Sequence, residues 1–168
     1  HPYMHAKTEA TSVIDLLRAA RNYAAAERLT LDGKLFLMGY SQGGHATMAA
    51  ARELQTNYAG EFTITACAPM AGPYDVSGVQ ASVITSNTPY PTPGYLPYVL
   101  YSYNMVYQAY PDVRDVILDQ WDSIIHPRMD GNTGMGALNN LCPAIPNAIM
   151  EPAILEDFRT NPNHIMRK

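Results

Sequence analysis

The segment that most constrains this chain is Gly39-Tyr40-Ser41-Gln42-Gly43, set between the apolar run Leu35-Phe36-Leu37-Met38 and the small-residue, helix-forming stretch His45-Ala46-Thr47-Met48-Ala49-Ala50-Ala51-Arg52-Glu53-Leu54. A G-x-S-x-G pattern in that setting requires a reversal from strand to helix within a few residues. The reversal strains the serine and projects its hydroxyl from the turn. Glycines two before and two after the serine are expected where strand and helix come close, and Gly39 and Gly43 occupy those places. The turn also sets Ser41 at a helix N-terminus, where unpaired N–H groups and the helix dipole favour a negative oxygen. Ser41 is therefore the candidate nucleophile, and the Gln42 N–H is the natural first oxyanion donor.

The surroundings repeat an alternating pattern. From about Ala6 to Arg28, Val13, Leu16, Leu17, Ala20 and Ala24 recur at helical spacing, with Glu9, Asp15, Arg18 and Arg21 mostly off that stripe. Asp32-Gly33 marks a turn, and the unbroken run at 35–38 suits a parallel strand covered on both faces. Phe62 to Ala68 predicts a second strand, broken by the prolines and glycine of Pro69-Met70-Ala71-Gly72-Pro73. Helix, strand, helix, strand implies an α/β sheet. After about Asn87 the composition changes. Thr88-Pro89-Tyr90-Pro91-Thr92-Pro93-Gly94 is a linker, followed only by helical patterns near Leu96–Tyr110, Val113–Ile125 and Glu151–Arg159. The expected organisation is a core portion at 1–87 and a helical cap at 88–168.

With 11 Lys and Arg against 15 Asp and Glu, and no long run of one sign, nucleic acid is an unsuitable partner. No apolar stretch approaches the roughly 20 residues of a membrane-spanning helix. The chain opens His1-Pro2-Tyr3 without a basic-then-apolar leader, so any signal peptide is expected to be removed or to lie upstream. Cys67 and Cys142 are too few for a disulfide framework; two buried thiols, or one bridge in an oxidising compartment, are the options.

The segments Gly39-Tyr40-Ser41-Gln42-Gly43-Gly44-His45, His1-Pro2-Tyr3-Met4-His5-Ala6-Lys7 and Ala71-Gly72-Pro73-Tyr74-Asp75 resemble the secretory lipase branch of the α/β-hydrolases. The resemblance covers most of the chain in outline, with only the elbow specific, and the helical region matches the cap such enzymes insert between core strands. It implies a partial parallel sheet with flanking helices, a secreted or periplasmic location, and Ser41 as nucleophile of an ester hydrolase with Gln42 holding the oxyanion. The substrate would be a small-molecule or lipid ester, and no metal or organic cofactor is called for. The family's triad runs Ser, Asp or Glu, then His, with the acid commonly following the strand after the cap. The triad Asp and His, and the second oxyanion donor, are thus expected outside this chain, on the rest of the same enzyme or on a partner chain. Peptidases and thioesterases share the elbow, and a non-catalytic binding module built on the same fold is the reading of a different class.

Other candidates have plainer roles. His45 lies one helical turn past Ser41 and is expected to be structural. His1 and His5 have the i, i+4 spacing of a metal pair but lack a third ligand. His126 and His164 fall in the cap, where surface or helix-end roles are expected. Asp75 is the best acid inside the chain, with turn formation as its alternative role. Asp112, Asp115 and Asp119 suit a helix start. Seven of the 12 tyrosines lie between Tyr90 and Tyr110, where they suit either packing or contact with an ester group. Met129, Met135 and Met150 read as packing.

Overall fold

A computed structural model describes residues 2–167 and divides the chain into two compact units, His1–Tyr74 and Asp75–Lys168. Residues 75–87 thus pack with the helical unit.

The first unit carries helix α1 (Ala6–Ala26), strand β1 (Phe36–Tyr40), helix α2 (Gln42–Asn57) and strand β2 (Ala66–Met70). Helix α1 stops in a Schellman arrangement, in which Leu29 N–H bonds Ala24 O at 2.8 Å and Arg28 N–H bonds Ala25 O at 3.2 Å, with Arg28 at φ 57 where glycine is usual. Its buried face is Glu9, Ala10, Ile14 and Ala24, with Val13 and Leu17 partly buried. Leu16 and Ala20, placed on the apolar stripe by spacing, are exposed, and Glu9, placed off it, is buried. Asp32 accepts from Lys34 N–H at 3.0 Å and Gly33 takes φ 77, forming the turn into β1.

The strands pair in parallel, Phe36 opposite Ala66 through Tyr40 opposite Met70. Strand β2 starts later than its apolar run suggests and contains Pro69, expected to break it. The reason lies in the pairing: Met70 O accepts from Ser41 N–H at 2.9 Å, so by strand alternation Pro69 directs its missing donor to the opposite edge, where no strand pairs among the described residues. The core joins Ile14, Leu37, Ala50, Ala51, Leu54 and Phe62. Helix α2 lies against the Leu37 face of the sheet and α1 packs on α2, so within this unit that is the face the described helices cover. Phe36, Met38 and Tyr40, on the other face, are 63%, 74% and 71% exposed, contrary to the two-sided cover expected of the run. The Arg18 guanidinium grips Glu61 through Nε at 2.8 Å and Nη2 at 2.7 Å, tying α1 to the segment after α2.

The second unit begins with a π-helical turn, Val76–Gln80, leading into α3 (Ala81–Thr85), then α4 (Tyr95–Tyr107), α5 (Asp119–Ile125), α6 (Met135–Leu141) and α7 (Pro152–Thr160). Its one non-helical pairing among the described residues is an isolated antiparallel bridge, Ile117 with Met150. Short helices α3 and α6 were not legible as periodic patterns. On α4, Tyr103 is buried and meets Tyr107 edge-to-face at 5.5 Å, a packing role. Asp112 and Asp115 form a capping box around Val113–Asp115, and Asp119 opens α5, as helix-start residues. Near the end, Arg167 donates to Phe158 O and Ser77 O, drawing the unit's two ends together. No described helix is long and apolar enough to cross a membrane.

Candidate active site

Ser41 occupies the single step between β1 and α2, with φ 56 and ψ −122. A β-carbon makes this region costly, on the order of 1–3 kcal/mol, so the conformation persists only where the surroundings hold it. An ordinary N-cap serine would sit in the extended region with its hydroxyl folded onto the helix's first N–H groups. Ser41 does neither: its side chain makes no cap bond, and the residue is exposed. The hydroxyl is left for other chemistry.

Close backbone approaches enforce the turn. A β-carbon on Gly39 would lie 2.1 Å from Gly43 O and 2.7 Å from Thr47 Oγ1. One on Gly44 would meet Met70 O at 2.4 Å, and one on Gly72 would meet His45 N at 2.6 Å. The start of α2 is therefore wedged against the ends of both strands. Gly43 is different, because a β-carbon there would meet nothing within 4 Å. Of the two motif glycines, only Gly39 is sterically required in this chain, and Gly44 takes the part expected of Gly43.

Gln42 is the first residue of α2, where helical geometry gives the N–H no intrahelical acceptor. His45 N–H closes the first turn onto Ser41 O at 3.1 Å. Beneath the turn lies a polar group: Glu9 of α1, 2% exposed, accepts from Gln42 Nε2 at 3.2 Å through Oε1 and meets His45 Nδ1 at 2.6 Å through Oε2. His45, 7% exposed, is thereby committed to Glu9, consistent with a structural part. Glu9 escaped the sequence because periodicity assigned it to the wet face. The available signal was the pairing of two polar residues, Gln42 and His45, three apart at the start of a helix that buries one face, a place that needs a polar partner.

The remaining candidates are dispersed. Asp75 accepts from Gly78 N–H at 2.8 Å and Val79 N–H at 3.0 Å, capping the π-helical turn with both oxygens. His126 is exposed, 3.6 Å from Asp122, with its ring tilted against that of Tyr101 at a centroid distance of 5.0 Å. His164 is buried, not at the surface: Nδ1 accepts from Met166 N–H at 3.1 Å and Nε2 meets the Tyr110 hydroxyl at 2.8 Å, an arrangement of a neutral ring whose pKa burial lowers. It lines a small apolar cavity of about 20 Å³ with Leu100, Met150 and Phe158, room for about one water. His5 caps nothing with its side chain, which bonds Thr8 Oγ1 at 3.1 Å, and His1 lies outside the described residues. Among the described residues no three His, Cys, Asp or Glu side chains form a metal site. Both cysteines are free thiols. Cys67 is exposed on β2 instead of buried, and burial raises the pKa of Cys142.

A strained, exposed serine between a parallel strand and a helix, with Cβ-excluding glycines at 39 and 44, is the strand–turn–helix geometry expected of an α/β-hydrolase elbow. The comparisons carry this further. The secretory lipase family model matches residues 2–158, and the chain belongs to that family. A solved structure of the rice cell wall degrading esterase LipA from Xanthomonas oryzae is 32% identical, with TM-score 0.85, over 99% of this chain and 46% of that one. A Legionella pneumophila protein described as a hydrolase is 27% identical, with TM-score 0.88, over 100% of this chain and 45% of that one. The chain thus spans less than half the length of these relatives and shares their partial α/β-hydrolase fold. No curated protein matches it.

Proposed function

We propose that this chain carries the nucleophile of a serine ester hydrolase, a lipase or carboxylesterase acting through an acyl-enzyme. Ser41 attacks the ester carbonyl, and the carbonyl π electrons move onto oxygen, which the Gln42 N–H helps hold. Collapse expels the alcohol, and water then releases the acid. A general base must take the Ser41 proton and give it to the departing alcohol, then activate the water of the second step in the same way. With His45 committed to Glu9, the triad His and Asp are expected outside this chain, on the rest of the enzyme or a companion chain. Residues 88–168 would serve as a lid over an ester of the small-molecule or lipid kind, and the family points to secretion. The observation that carries this reading is the dihedral state of Ser41, strained and exposed with an uncapped hydroxyl. A binding module that kept the elbow only as architecture would gain nothing from that strain.

Fluorophosphonate labelling read by intact mass tests the proposal, on the natural protein and a Ser41→Ala variant. One adduct on the first and none on the second is expected. A folded protein that takes no label at Ser41 would refute it.

A further inference from the structure

One charged residue that contacts this turn, Glu9, is not used by the reaction as written. Glu9 is buried at the start of α1, and both its oxygens reach α2, one to Gln42 Nε2 at 3.2 Å and one to His45 Nδ1 at 2.6 Å. Those two side chains are the first and fourth of the helix and frame its opening turn. A carboxylate here benefits from the helix dipole, but burying an ion is expensive, and an apolar trio of similar volume would stabilise the packing at least as well. A buried carboxylate in this place therefore calls for a reason other than stability.

The strain at Ser41 supplies one. Relaxation of Ser41 from φ 56, ψ −122 toward ordinary N-cap dihedrals would rotate the Ser41–Gln42 peptide and swing the Gln42 N–H away from its present direction. That rotation also displaces the Gln42 side chain. Holding Gln42 at its amide and His45 at its ring, from a helix packed against α2, opposes the rotation at both ends of the turn.

We propose that Glu9 is a positioning residue for the nucleophile turn: through Gln42 and His45 it holds the Ser41–Gln42 peptide in the orientation that presents the Gln42 N–H to the oxyanion. The proposal rests on the assignment of Ser41 and Gln42 above. It predicts a transition-state effect, because the held N–H matters most when negative charge develops.

The test uses the full-length natural protein with a chromogenic short-chain p-nitrophenyl ester and fluorophosphonate labelling rates, on Glu9→Ala, Glu9→Gln, Gln42→Ala and the Glu9→Ala/Gln42→Ala pair, with Ser41→Ala as blank. Loss of a whole oxyanion donor lowers kcat by about 100- to 1,000-fold, so a loosened donor should cost about tenfold. Glu9→Ala and Gln42→Ala should each show that loss in kcat and labelling rate, with KM within about twofold, and the pair should lose little more than Glu9→Ala alone. Glu9→Gln, which can still accept from the Gln42 amide, should recover most of the rate. If Glu9→Ala does not fold, Gln42→Ala and Glu9→Gln carry the test. Wild-type rates in Gln42→Ala, or losses that multiply in the pair, would overturn the positioning role while labelling of the wild type left Ser41 in place. Absence of label on the folded wild type would instead remove the nucleophile assignment and the inference with it.

Discussion

Replacing the glycines of the turn one at a time with alanine should separate the residues that geometry requires from those the motif merely contains. At Gly39 the added carbon would sit 2.1 Å from Gly43 O and 2.4 Å from Gly43 C, backbone atoms that no rotamer change can move. Relief requires the start of α2 to withdraw from β1 by close to an ångström. Overpacking of this kind costs about 1–3 kcal/mol, and a rigid backbone obstacle puts Gly39→Ala at the upper end. At about 2–4 °C per kcal/mol for a chain of this size, the melting temperature should fall by about 5–10 °C. Because the shift moves Ser41 and Gln42 with the helix, labelling should slow by about 100-fold, the usual penalty for misplacing reacting groups by that distance. Gly44→Ala should behave similarly, since its obstacle is Met70 O at 2.4 Å. Gly43→Ala faces open space and replaces glycine within a helix, a change worth up to about 1 kcal/mol of stabilisation. Its melting temperature should hold or rise. Thermal melts and labelling rates on the three variants check the series, and a Gly43→Ala variant as damaged as Gly39→Ala would refute the steric reasoning.

The other expectations concern the second unit. Asp75→Ala removes a cap from two N–H groups and should cost about 1 kcal/mol, visible in a urea melt, while leaving Ser41 labelling unchanged; a collapse of labelling would instead give Asp75 a part in catalysis. Burial lowers the pKa of His164 from 6.5 despite the opposing pull of Asp157, so the folded state resists a proton that the unfolded chain accepts. The stability this contributes is present above about pH 6.5 and is lost as pH falls toward the folded pKa. Protection factors in α7, corrected for the pH dependence of intrinsic exchange, should fall between pH 7 and pH 5, and His164→Gln should flatten that response; an unchanged pH dependence in the variant would assign it to another group.

The two halves of the chain differ in how far local rules decide them, and the same difference explains what could be read from residues alone. Around Ser41 the requirements are local: an apolar run, a glycine before the serine and small residues after it leave one way to turn, so strand, turn and helix were legible in the sequence. The assignment of Gly43 erred because a motif records spacing, whereas the obstacle depends on where β2 and its Met70 carbonyl come to lie, some thirty residues away in sequence. Pro69 escaped for a related reason. A proline breaks a ladder only on the side that needs its N–H, and which side that is depends on pairing. Glu9 shows the limit of periodicity most clearly. A hydrophobic stripe treats every charged residue as a vote for solvent, but a carboxylate that meets two donors on a neighbouring helix satisfies the burial rule as well as an isoleucine does. Exposed apolar residues on β1 pose the converse case. Phe36, Met38 and Tyr40 carry the pattern of a strand with two covered faces, yet helices cover only the opposite one. An apolar strand sequence thus reports how hydrophobic its faces are, not which of them a helix of the same unit covers.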